Sequence, residues 1–81
     1  IMKSHQNTFI PMNIQEKFGK RVRTLRNKKG VSQEALAFQA GIDRTYMTSV
    51  ENGKRNISIQ NIEKIIKALG VSMGEFFSEV K

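Results

Sequence analysis

The stretch from Gln33 to Asn52, QEALAFQAGIDRTYMTSVEN, limits the folds open to this chain more than any other. Apolar or small residues fall at Leu36, Ala37, Ala40, Ile42, Met47 and Val50. That spacing turns one face of each of two short helices toward a shared core. The first helix is expected over Gln33–Gln39, the turn at Ala40-Gly41-Ile42, and the second helix over Asp43–Asn52. Ala37 is small where the helices would cross closely, and Gly41 stands where the turn needs a positive φ. Asp43 is expected to cap the second helix through the Arg44 and Thr45 amides. The outward residues of that helix are Arg44, Thr45, Thr48, Ser49 and Asn52.

The charge balance gives that outward face a direction. The 81 residues hold 14 Lys or Arg against 7 Asp or Glu, a formal net charge of +7. Residues 1–55 carry the whole excess, and residues 56–81 are balanced. A basic half that contains two helices around a glycine turn suits phosphate binding. Short polar groups plus one Arg near a helix start suit close entry into a major groove of double-stranded DNA. A chain of this length has room for one small core of four or five helices, and such domains often gain stability by pairing. With no Cys there is neither a disulfide framework nor a Cys-based zinc site. No apolar run approaches the roughly 20 residues that span a bilayer, so no membrane partner is expected. The opening residues carry no apolar segment of a secretory signal, and a cytoplasmic location is expected.

Around the central stretch, three further helices are expected. Residues 1–12 read as an irregular tail or an arm onto a partner subunit, with Met2 and Met12 both candidate starts. Asn13 caps a helix whose stripe is Ile14, Phe18, Val22 and Leu25, ending at Gly30. Its other faces carry Lys17, Lys20, Arg21, Arg23, Arg26, Lys28 and Lys29. Two readings stay open for that run. It solvates the helix and offsets its dipole, or one or two of its members, Arg21 and Arg26 among the possibilities, reach a DNA backbone. Ser32 caps the helix at Gln33, and Phe38 falls outside the core positions there. Ser58 caps a helix with the apolar face Ile59, Ile62, Ile65, Ile66 and Leu69, stopped at Gly70. Ser72 caps a last helix with Met73, Phe76, Phe77 and Val80 on one side. Adjacent Phe76 and Phe77 point about 100° apart. Either one fills the core while the other joins Met73 or Val80 as a dimer contact, or both are buried in the monomer.

Over Phe18 to Phe77 the pattern resembles the phage-repressor (XRE-like) helix-turn-helix family. Asp43-Arg44-Thr45-Tyr46, followed by Glu51-Asn52-Gly53-Lys54-Arg55-Asn56, resembles the controller proteins of type II restriction–modification systems, which time expression of the endonuclease. The resemblance implies an all-α, five-helix domain over residues 13–81, and the apolar side of its last helix makes that helix the expected C-terminal dimerisation element. It implies that Gln33 contacts a phosphate at a helix N-terminus, that Arg55 reads a base or phosphate, and that Asn56 binds backbone. It also implies that two dimers bind an operator side by side, activating the protein's own operon at low occupancy and repressing it at higher occupancy. In related activators an acidic patch near Glu34 meets the RNA polymerase sigma subunit, which makes Glu34 a candidate for that contact.

The chemistry of the side chains assigns the remaining roles. Arg44 is the best base reader, because its guanidinium can bond guanine O6 and N7 together. Thr45, Thr48 and Ser49 can meet base edges, thymine methyls or phosphates, while Tyr46 can instead lie toward the backbone and sense DNA shape as well as contact it. Gln33, Lys54, Arg55 and Asn56 are expected to set register mostly through phosphates. A twofold dimer would read half-sites about 34–36 Å apart. The alternatives are a phage-type repressor, an antitoxin, or a protein-interaction module on the same fold. An enzyme is not expected: the single His, His5, lies in the tail, Asp43 is better used as a cap, and Glu51 has no partner at catalytic spacing. With no glycine-rich phosphate loop and no metal-ligand cluster in the sequence, neither cofactor nor metal is called for.

Overall fold

The computed structural model describes residues 11–81, and the expected tail lies outside them except for Pro11 and Met12. Among the described residues there are five helices and no strand. They are α1 (Ile14–Lys29), α2 (Gln33–Ala40), α3 (Arg44–Glu51), α4 (Ile59–Leu69) and α5 (Met73–Phe77). Each begins at a side-chain cap. The oxygens of Asn13, Ser32, Asp43, Ser58 and Ser72 accept from amides of the first turn, a contribution of about 1 kcal/mol apiece. Asn13 and Glu16 also form a reciprocal box, each side chain on the other's backbone N–H at 2.8 and 3.0 Å. Asp43 serves the amides of Thr45 and Tyr46, one residue further along than the sequence suggests.

The α2–α3 turn closes on Gly41. Its φ of 69° lets the Ile42 amide reach the Ala37 carbonyl at 2.9 Å, and its own amide reaches Phe38. Two orphan carbonyls of α2 are thereby satisfied within three residues, and the chain turns sharply into α3.

One core joins all five helices: Phe18, Val22 and Leu25 from α1, Leu36, Ala37 and Ala40 from α2, Met47 and Val50 from α3, Ile65, Ile66 and Leu69 from α4, and Phe76 from α5. Three expected stripe positions depart from it. Ile14 is 63% exposed and Ile59 is 81% exposed, because each starts its helix beyond the reach of the facing elements. Ile62 is only half-buried. Of the adjacent aromatics, Phe76 is fully buried among Phe18 and Phe77 with ring centroids 5.0 and 4.9 Å away, whereas Phe77 keeps 41% of its surface. Helix α5 ends at Phe77, so Val80 packs on the core from the segment beyond it.

Helix α1 lies against α3 at Gly19. A methyl there would meet the Val50 carbonyl oxygen, and lie 2.7 Å from that of Glu51. Gly53, just after α3, makes the converse contact: its φ is 71°, and a Cβ on it would stand 2.8 Å from the Cα of Glu16. The two glycines clamp the C-terminal end of α3 onto α1.

Candidate nucleic-acid interface

The outward face of α3 gathers six of the expected site residues. Arg44, Thr45, Thr48, Ser49, Asn52 and Lys54 line one shallow depression. Arg44, Thr45, Asn52 and Lys54 are exposed, and the two hydroxyls between them are half-buried. Ser49 Oγ donates to the Thr45 carbonyl at 2.9 Å, which leaves its lone pairs outward. Helix α3 buries Met47 and Val50 on the opposite side, so its orientation is set by the core.

Behind this face lies a carboxylate that no local sequence pattern singles out. Glu51 is the one buried charged residue among the described residues, with a side chain of 0% exposure. Arg26 donates to it from Nε at 2.6 Å and from Nη2 at 3.0 Å, and Arg26 Nη1 donates to the Val31 carbonyl. Arg23 Nε and Gln33 Nε2 add bonds of 3.2 and 3.0 Å to the same carboxylate. Burial alone would raise the Glu51 pKa, but the hydrogen bonds from Arg26, Gln33 and Arg23, with the Arg26 charge, outweigh it and hold the carboxyl below its ordinary range. The same pairing raises Arg26 further.

This network reassigns several basic and amide groups. Arg26 is committed to Glu51, which removes it from the possible backbone contacts. Arg21 is committed as well: its Nε and Nη2 donate to the carbonyls of Phe76 and Glu75 at 2.8 and 2.9 Å, closing the end of α5. Gln33 is not a free starter of α2. Its Oε1 accepts from Thr48 Oγ1 at 2.8 Å while its Nε2 holds Glu51, so one N–H of the amide is left for an outside group. Arg23 Nη2 donates to Asn52 Oδ1 at 3.0 Å, which leaves the Asn52 amide group to point outward.

The loop after α3 is held to two places. The Arg55 guanidinium lies over the Tyr46 ring, 4.5 Å from its centroid. Asn56 Oδ1 accepts from Gln15 Nε2 at 2.6 Å, joining the loop to the first turn of α1. Gln15 and Arg23 are the supporting residues missed from the sequence. Gly19, Arg23 and Arg26 do recur at helical spacing, four and three apart, and that stripe was the available signal. On and after α5, Met73 and Phe77 present apolar surface, while Phe76 is withdrawn from any partner by its burial and Val80 is half-withdrawn. Phe38, left unassigned from the sequence, is 86% exposed on α2.

With this geometry in place, the relatives are informative. The helix-turn-helix family matches residues 22–76. The chain is 46% identical over 70 residues to control protein C.MunI of a Mycoplasma species, covering 85% of this chain and 95% of the relative. It is 53% identical over 60 residues to control protein C.BamHI of Bacillus amyloliquefaciens, covering 73% and 74%. The restriction–modification controller protein C.Esp1396I, solved as a tetramer in complex with its natural 35 base-pair operator, superposes with a TM-score of 0.80 at 34% identity, over 86% of this chain and 92% of that one. A buried hub behind an open polar helix, on a fold and sequence shared with these proteins, places the chain in the XRE-type helix-turn-helix family, among the restriction–modification controller proteins.

Proposed function

We propose that this protein is a sequence-specific, double-stranded-DNA-binding transcriptional regulator that controls its own restriction–modification operon. The observation that carries this reading is the α3 face: Arg44, Thr45, Thr48, Ser49, Asn52 and Lys54 stand together on a helix whose other side is locked into the core. Such a helix can enter a major groove without losing the fold, with Arg44 donating to a guanine edge and the hydroxyls filling the contact. Lys54, Arg55, Asn56 and the remaining N–H of Gln33 fix register on phosphates.

The protein binds as a homodimer through the surface that Met73 and Phe77 offer near the C-terminus, making residues 13–81 one DNA-binding and dimerising unit. Two dimers then load side by side, as the operator-bound tetramer of C.Esp1396I suggests by analogy. The first activates the operon, with Glu34 toward the polymerase sigma subunit, and the second represses it. The protein acts in the cytoplasm and catalyses nothing. Among the described residues no helix is long and apolar enough to cross a membrane.

The test is a fluorescence-anisotropy titration against DNA from upstream of the protein's own gene, with a scrambled duplex beside it at near-physiological salt. A preference of about 10³-fold or more, with two subunits per symmetric site, is expected. Equal weak binding to both duplexes would leave only nonspecific electrostatics and end this reading.

A further inference from the structure

The pairing of Tyr46 with Arg55 carries an inference that rests on the DNA-binding reading and deepens it. Tyr46 sits in the first turn of α3, half-buried against the core. Arg55 lies nine residues on, in an exposed loop. Its guanidinium stands 4.5 Å from the ring centroid, and no hydrogen bond or ion pair holds it among the described residues. A guanidinium on an aromatic face keeps its N–H donors free at the edge of its plane, where they can fork onto an anion. The ring thus restrains a long, otherwise mobile side chain without consuming any of its donors.

We infer that Tyr46 is a positioning residue: its ring holds Arg55 beside the recognition helix so that the guanidinium clamps a DNA phosphate, and much of what Tyr46 contributes to binding passes through that charge. The loop needs such a restraint. Arg55 follows Lys54 and precedes Asn56, whose Oδ1 is already anchored to Gln15. The backbone of the loop is therefore tethered on one side, and the ring fixes the remaining side-chain freedom. An Arg that is already in place loses less conformational entropy when the phosphate arrives.

The salt dependence of binding separates this role from direct contact. A phosphate contact contributes about 0.9 to the slope of log K against log salt. Tyr46 is neutral, so removing its ring changes that slope only if a charge loses its place. The duplex is the DNA upstream of the protein's own gene. Arg55→Ala is expected to lower the slope by about one per subunit. Tyr46→Leu should lower it similarly, and the double variant should lose no more than Arg55→Ala alone, within about twofold in affinity. Tyr46→Phe, which keeps the ring, should bind within about twofold of the parent. A Tyr46→Leu protein with the parental slope, whatever its affinity, would overturn the proposal, and so would additive losses in the double variant. Should Tyr46→Leu fail to fold, the Arg55 side-chain protons of the parent and of Tyr46→Phe decide the question by NMR. Upfield ring-current shifts in both support the stack, and random-coil shifts in either refute it. A parent protein that shows no preference over the scrambled duplex defeats the DNA-binding reading itself, a result distinct from all of these.

Discussion

Arg26 grips Glu51 at two points, Nε on one carboxylate oxygen at 2.6 Å and Nη2 on the other at 3.0 Å, and so ties α1 to the last turn of α3. The carboxylate is fully buried, and the guanidinium side chain keeps 13% of its surface. Removing one member of such a pair strands the other charge away from water, a loss of about 3–5 kcal/mol. Arg26→Ala is therefore expected to lower the free energy of urea unfolding by about 3 kcal/mol or more. Glu51→Gln, which keeps the volume but strands the guanidinium, should cost nearly as much. A loss below about 0.5 kcal/mol in both would mean that solvent replaces the bridge freely.

The same pair gives stability a pH dependence with a definite sign. The folded-state pKa of Glu51 is depressed below that of the unfolded chain. Its contribution is therefore fully present above the ordinary carboxylate pKa, and it is lost as pH falls through the lower folded value. Between about pH 5 and pH 2 the urea midpoint of the parent should fall more steeply than that of Glu51→Gln, and the two curves should converge at the acid end. Parallel curves over that range would remove Glu51 from the acid response.

Gly19 is required by approach rather than by backbone conformation. The Cβ of Gly19→Ala would collide with the carbonyl oxygens of Val50 and Glu51, which are backbone atoms and cannot swing aside. Helix propensity favours Ala over Gly by about 0.8–1.0 kcal/mol, so a simple helix position would gain stability. Here the substitution should instead cost roughly 1–3 kcal/mol through overpacking, read as a lower thermal midpoint. A raised midpoint would show that α1 and α3 can separate at little cost.

These three cases show where local sequence ends as a guide. The caps at Asn13, Ser32, Asp43, Ser58 and Ser72 were legible because each acts on amides two or three residues away. The two short helices and their glycine turn were legible for the same reason. The apolar stripes were legible in their middles and overran at Ile14 and Ile59, since periodicity does not say how far the facing helix extends. Glu51 was illegible because its partners lie 18, 25 and 28 residues away and its meaning depends on burial. Arg21 and Arg26 belong to the same lesson. In a run of seven basic residues, residue type does not distinguish Arg21, which caps α5, or Arg23 and Arg26, which hold Glu51, from the others; only the helical stripe of Gly19, Arg23 and Arg26 points to the second pair. On the candidate interface the sequence indicated which residues of α3 point outward, but not that Gln15 and Arg23 stand behind Asn56 and Asn52.

Arg44 and Lys54 border the same depression yet are expected to fail differently. Arg44→Ala should cost roughly 1–3 kcal/mol on the operator and relax preference at one base pair. Lys54→Ala should weaken binding to operator and scrambled duplex alike and reduce the salt slope by about one per subunit. Anisotropy titrations against a panel of single-base-pair operator variants separate the two. A uniform loss for Arg44→Ala, or a sequence-selective one for Lys54→Ala, would exchange their assignments.

Phe76 and Phe77 are neighbours in the chain with opposite expected consequences. Phe76 of α5 is fully buried against Phe18 of α1, so Phe76→Ser should cost about 3–5 kcal/mol and leave little folded protein. Phe77 touches Phe76 with one edge and exposes 41% of its surface beside Met73, which is 44% exposed. Phe77→Ser gives up only part of a side chain's burial, and its helix content should stay close to the parental value. Its effect should fall on self-association, where an apolar anchor at the centre of a small interface is worth about 1–2 kcal/mol or more, on the order of tenfold or above in the dimer Kd. Sedimentation equilibrium on the parent and Phe77→Ser measures this directly. An unchanged dimer Kd would move the dimer contact away from α5 and direct attention to the other exposed apolar surface, beginning with Phe38 on α2 and Ile59 on α4.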